Sequence, residues 1–139
     1  MTDLVLVTSA INTRFGKFSP EVRCSQTAAT LESIVEKMPT ADIHIVECSV
    51  PEVLDEHIDY LKNIANFTLD KWGTNDDVVN ISRSNNWDLV KNYTEMLCTV
   101  YSLRKLDYLD CSRIFKLSGR DVLNDHFDYS AHDGAPVAL

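Results

Sequence analysis

The chain has 139 residues, 45% hydrophobic and 24% charged, so one domain can bury a core and neither a disordered nor a collagen-like chain fits. Its net charge of −8 argues against nucleic acid or an anionic membrane surface as a partner. No apolar run approaches the roughly 20 residues of a membrane-spanning helix, and Met1-Thr2-Asp3-Leu4 lacks the basic start of a signal peptide, so the expected location is the cytoplasm.

The elements alternate between strand and helix. An apolar run over residues 4–11 predicts a strand buried on both faces, and residues 12–23, with Gly16, Ser19 and Pro20, read as a loop. Leu31, Ile34, Val35 and Met38 keep helical spacing in a helix over 25–38 that Pro39 stops. A second strand covers 42–48, and His44 within it reads as a structural histidine. A second helix runs from Pro51 to about Lys71, with Leu54, Ile58, Leu61, Ala65, Thr68 and Trp72 on one face and Gly73 as its C-cap. Residues 77–82 predict a weak third strand. Asn85 or Asn86 caps a third helix to about Leu106, in which Leu89, Tyr93, Met96, Val100 and Leu103 mark the core face. A fourth strand covers 113–118. The four cysteines form no C-x-x-C pair and read as reduced, buried thiols.

Strands separated by helices imply βαβ units. The expected fold is therefore α/β: a single three-layer, Rossmann-like domain over 1–139, with a mostly parallel sheet of about four strands and a polar tail from about residue 122. In such sheets ligands bind outside the carboxyl ends of the strands, where the strand order reverses. Thr8 and Ser9 end the first strand, and Arg14, Lys17 and Arg23 follow against a single acid, Glu21. Ser118, Gly119, Arg120 and Asp121 end the fourth strand. Positive charge at two strand ends of an acidic protein suits a phosphate or diphosphate. Arg23, Thr27 and Thr30 place a polar start on the first helix, facing that edge. Glu47, ending the second strand, is placed to accept hydrogen bonds from a ribose or base. Neither G-x-G-x-x-G nor G-x-x-x-x-G-K-[ST] occurs, which excludes the usual dinucleotide and P-loop sites.

Taken in order, Thr8-Ser9, the Arg23…Thr27…Thr30-Leu31-x-x-Ile34 helix, Glu47-Cys48-Ser49, Arg83-Ser-Asn85-Asn86 and Phe115-Lys-Leu-Ser-Gly-Arg120 resemble the donor-binding half of GT-A type nucleotide-sugar glycosyltransferases. The likeness covers about residues 3–125, and Lys116-Leu-Ser-Gly-Arg120 looks most like polysaccharide-type members that lack the D-x-D metal motif. The resemblance implies a nucleoside-diphosphate sugar held by Thr8, Ser9, Arg23, Thr27, Glu47, Arg83, Asn86, Ser118, Arg120 and Asp121, with transfer to a glycan or polysaccharide if the chain is active. Asp125 and Asp128 are the nearest candidates for an acceptor-side base. Ser118-Gly119-Arg120 stands where D-x-D is usual, so Arg120 takes over from a Mg²⁺ or Mn²⁺ ion that Asp121 alone would have to hold.

Such enzymes carry a further half for the acceptor, so a homodimer or a completing partner chain is expected. The competing reading is a non-enzymatic interaction protein, or an inactive shortened relative, acting through oligomerisation. A third is a metal site on the tail, where His126 and His132 lie among Asp125, Asp128 and Asp133.

Overall fold

The computed structural model describes residues 2–13, 15–106 and 111–134; Arg14, one of the basic residues of the first loop, lies outside them. Four parallel strands, β1 (Thr2–Ser9), β2 (Asp42–Glu47), β3 (Thr68–Lys71) and β4 (Cys111–Ser118), form one sheet in the order β3-β2-β1-β4. The chain steps outward from β1 to β3, then returns to the other side of β1. Leu4–Ser9 pair with Asp42–Glu47 on one side, and Leu4–Thr8 pair with Ile114–Ser118 on the other. The expected α/β, Rossmann-like three-layer architecture is what the chain adopts.

Side chains alternate across the strands, and each face meets its own helices. Val5, Val7 and Ile45 pack with Leu31 and Ile34 of α1 (Pro20–Lys37) and with Ile58 and Leu61 of α2 (Asp55–Lys62). Leu4, Leu6 and Val46 pack with Val78 of α3 (Asp76–Ser82) and Cys98 of α4 (Thr94–Lys105). The first helix begins five residues before the expected 25. Ser19 accepts a hydrogen bond from Val22 N, Pro20 occupies the first turn, and Lys37 stands in the last turn.

Two expected elements are corrected. The second helix stops at Lys62, and residues 68–71 are β3 rather than its continuation. There Thr68 and Asp70 take the two ring nitrogens of buried His44, at 2.5 and 3.0 Å, and Lys105 pairs with Asp70 at 2.7 Å. Polar pairing along the strand outweighs the helical period. Gly73 is no C-cap; it is buried where a Cβ would meet Ser49 O and Glu52. Residues 77–82 are helix α3, capped by Asn75 Oδ1 on Asp77 N and Val78 N, not a third strand.

The third helix arrives as expected, through a π-helical turn at Leu89–Tyr93 into α4. Asn86 Oδ1 accepts from Leu89 N at its start. Of its expected core face only Leu103 packs against the sheet cluster, beside Leu97. Thr94, Cys98 and Ser102 are buried against the sheet, while Leu89, Tyr93, Met96 and Val100, expected in the core, are exposed. The strands beneath already carry Leu4, Leu6 and Val46, so small side chains on α4 permit close approach.

The polar tail also packs. Leu123, Phe127 and Tyr129 lie against the α1 face, and Phe115 meets Tyr129 edge-on at 5.9 Å. Arg113 binds both carboxylate oxygens of Asp3 and reaches Asp133 at 3.0 Å, and Tyr129 Oη donates to Asp3. No helix among the described residues is long and apolar enough to cross a membrane.

Candidate functional site

The strand order reverses between β1 and β4, and a cavity of about 160 Å³ opens at their carboxyl ends. Its floor is closed by backbone. Gly119 N donates to Thr8 O at 2.7 Å, Thr27 Oγ1 meets Gly119 O at 3.4 Å and Ser9 Oγ at 3.2 Å, and Thr30 Oγ1 donates to Asp121 O at 2.7 Å. The polar start of α1 is thus bonded to the chain leaving β4. Thr27 still lines the cavity, whereas Thr30 lies beneath it, fully buried.

The loop between β1 and α1 forms one wall. Ile11 N donates to Glu47 Oε1 at 3.0 Å, Asn12 N to Ser49 Oγ at 2.8 Å, and Asn12 Nδ2 to Glu52 O at 3.0 Å. Arg23 reaches back to Ala10 O at 3.2 Å and Phe18 O at 3.3 Å. Gly16 sits at φ +127°, so the turn needs glycine for its dihedral, and a Cβ there would displace the Arg23 guanidinium. Glu47 is fully buried, and burial pushes its carboxyl up although Ser49 and Ile11 N donate to it. It anchors the wall from behind and does not line the cavity.

Arg23 and Arg120 both line the cavity. Burial, and then the nearby Arg120 guanidinium, draw the Arg23 pKa down, against a weaker pull upward from Glu47. Two like charges converging on one cleft favour an anion between them. Arg120 is exposed and makes no hydrogen bond to another described residue.

Trp87, Lys91 and Glu95 from the third helix form the opposite wall, with Lys91 Nζ 5.7 Å from the Trp87 ring centre. Glu95 Oε1 accepts from Thr8 Oγ1 at 2.8 Å and from Lys116 Nζ at 2.9 Å. Burial alone would raise the Glu95 carboxyl; Lys116 and Thr8 outweigh it and hold the group below the usual carboxylate range. At the back, a hydrogen bond with Cys98 and burial push the Cys48 thiol well up, so Cys48 stays a thiol.

The structure therefore brings together Thr8, Ser9, Arg23, Thr27, Ser118 and Arg120. Arg83 and Asn86 are exposed outside the lining, and Asp121 contributes its carbonyl to Thr30 while its side chain faces solvent. Asp125 and Asp128, expected as acceptor-side bases, are not brought to the cavity. Asp125 pairs at 3.0 Å with Lys37, fourteen residues and about 21 Å along α1 from Arg23, and Asp128 accepts from Ser130 N and Oγ. Both belong to the tail, which packs by Asp3 and Arg113 at the amino-terminal ends of β1 and β4. Lys91 and Glu95 were not foreseen. Trp87, Lys91 and Glu95 at i, i+4, i+8 carry the signal, masked by the stronger apolar period of Leu89, Tyr93, Met96 and Val100.

Glu95 is the one carboxylate among the described lining residues, and its Oε1 already has two donors. Mg²⁺ or Mn²⁺ asks for several oxygens in an open octahedral shell. These residues do not fit a resident divalent cation. On the tail, His132 stacks on Phe127 at 5.5 Å, and no group of three or more His, Cys, Asp or Glu is gathered for a metal among the described residues. No protein-family model matches the chain, and no curated protein or solved structure is significantly similar to it.

Proposed function

We propose that the chain binds a nucleoside-diphosphate sugar in this cavity as a GT-A-like protein, with Arg23 and Arg120 on the diphosphate. The carrying observation is the convergence of these two guanidinium groups at the switch point of a parallel sheet. A space of about 160 Å³ is smaller than the roughly 300–1,000 Å³ of a complete ligand pocket, so it takes the diphosphate and leaves the rest of the ligand toward the open mouth beside Trp87. In sugar transfer the anomeric carbon–oxygen bond breaks and charge grows on the departing diphosphate. Fixed cations there stabilise that charge without reorganising.

Thermal unfolding with UDP, GDP, CDP, ADP and their sugars tests the reading. A ligand at 100 times its Kd should stabilise the fold by about 2.7 kcal/mol. No shift with any of them at millimolar concentration overturns it. Incubation of a bound sugar nucleotide with glycan acceptors then tests transfer separately.

A second reading, an interaction protein acting as a homodimer, is supported by the exposed stripe on the third helix. Met96 is 56% exposed, with Leu89 and Tyr93 before it and Val100 one turn after it, and Ile114 is uncovered on β4. Isolated exposed apolar residues are ordinary, but a contiguous stripe of this length marks an interface. β4 ends the sheet, and no described strand pairs with its outer edge. A second copy is the occupant we propose, because a two-fold axis lets the same edge and stripe pair with themselves. Sedimentation velocity decides: a monomer at tens of micromolar removes this reading.

A further inference from the structure

The cavity holds one group that an anion site does not need. Glu95 brings a carboxylate into a cleft whose other charges are Arg23, Lys91 and Arg120. A site for a bare diphosphate would be stronger without it, since like charges repel across a partly desolvated gap. Yet Glu95 is held firmly. Thr8 Oγ1 and Lys116 Nζ both donate to Oε1, which fixes the plane of the carboxyl group, and Lys116 offsets its charge. Oε2 makes no hydrogen bond to a described residue, and the side chain is 39% exposed, so this oxygen is accessible rather than buried.

We propose that Glu95 is a ligand-selecting residue: its free Oε2 accepts a hydrogen bond from a hydroxyl of the group that the diphosphate carries. The inference rests on the diphosphate reading and narrows it to a diphosphate ester of a hydroxyl-rich group. A carboxylate oriented in advance by two donors loses little freedom when a third donor arrives, and a hydroxyl bound to a charged acceptor makes one of the stronger hydrogen bonds. A ligand lacking that hydroxyl leaves Oε2 facing the diphosphate with no donor. The site then discriminates by what it leaves unpaired.

The test compares two ligands on two proteins. The full chain and Glu95→Gln are titrated calorimetrically with a nucleoside diphosphate and with the hexose ester of the same diphosphate. The wild-type chain is expected to bind the hexose ester more tightly. Glu95→Gln should lose about 10- to 100-fold in affinity for the hexose ester, while the bare diphosphate gains affinity as a negative charge leaves its site. Equal losses for both ligands would mean that Glu95 only supports the fold, and overturn the proposal; so would no change for either. A wild-type chain that binds the bare diphosphate and the ester equally overturns it while the diphosphate reading stands. A chain that binds neither overturns both. If Glu95→Gln does not fold, Glu95→Asp keeps the charge but withdraws the carboxyl by one methylene; the hexose ester should then lose affinity while the bare diphosphate is unchanged, and an equal change for both overturns the proposal.

Discussion

Gly119 donates its amide to the carbonyl of Thr8 at 2.7 Å, so the first residue beyond β4 stays in register with β1. That bond sets the floor of the cavity and turns Arg120 outward into it. A methyl group on Gly119 would lie 3.0 Å from Thr8 O and 3.1 Å from Thr27 Oγ1, inside ordinary contact. Gly119→Ala should therefore destabilise the fold by roughly 1–3 kcal/mol, as overpacking does, and lower the melting temperature by several degrees. Differential scanning calorimetry measures this, and an unchanged melting temperature would show that the floor yields.

Arg23 and Arg120 should separate under mutation. Arg120 is bonded to no described residue, whereas Arg23 holds Ala10 O and Phe18 O. Arg120→Gln is expected to weaken nucleoside-diphosphate binding by about tenfold or more without loss of stability, since it removes a charge-assisted contact and relieves repulsion on Arg23. Arg23→Gln should reduce both affinity and melting temperature. Calorimetric titration beside thermal unfolding checks the pair.

Glu47 gives a signed dependence on pH. Burial raises its folded pKa above the unfolded value, so its contribution to stability is full below the ordinary carboxylate range and is lost as pH rises through the raised value. Each unit of that shift is worth about 1.4 kcal/mol. Asp3, held low first by Arg113, contributes with the opposite sign, so the wild-type profile alone mixes the two. The difference in urea midpoint between wild type and Glu47→Gln, from pH 4 to 7, isolates Glu47. Wild type should fall progressively behind the variant over that range.

Met96→Glu tests the stripe on α4. The side chain is more than half exposed and away from the buried Thr94, Cys98 and Ser102, so a monomer would tolerate the charge within about 0.5 kcal/mol. A homodimer through the stripe would dissociate. Sedimentation velocity on both proteins at one concentration reads the difference, and an identical dimer in both would place the interface elsewhere.

The alternation of strand and helix was legible because β1, β2 and the first helix carry strong, unmixed periods: Leu4 to Val7 are buried on both faces, and Leu31 and Ile34 cover them. The two misread segments had competing signals. Leu54 to Trp72 keeps a helical period by composition, but His44 on the central strand offers partners to Thr68 and Asp70 that only a strand can meet. Residues 77–82 look β-branched, and Asn75 caps a helix there. At the site, residues on strand ends could be found because topology dictates that edge. Lys91 and Glu95 could not, because the apolar period of Leu89, Tyr93, Met96 and Val100 marks an exposed face, while the most buried positions of the third helix are Thr94, Cys98 and Ser102, flanked by Leu97 and Leu103. The tail was hidden for a related reason: its charge suggested solvent, while Leu123, Phe127 and Tyr129 supply enough apolar surface to dock.

β4 is at once the rim of the cavity and the border of the sheet. Any chain adding to that border would run about 4.8 Å away, one strand spacing from the backbone that carries Lys116 and Ser118. Ligand and neighbour would then act on the same eight residues. Thermodynamic reciprocity follows: the factor by which a bound nucleotide changes self-association equals the factor by which self-association changes nucleotide affinity.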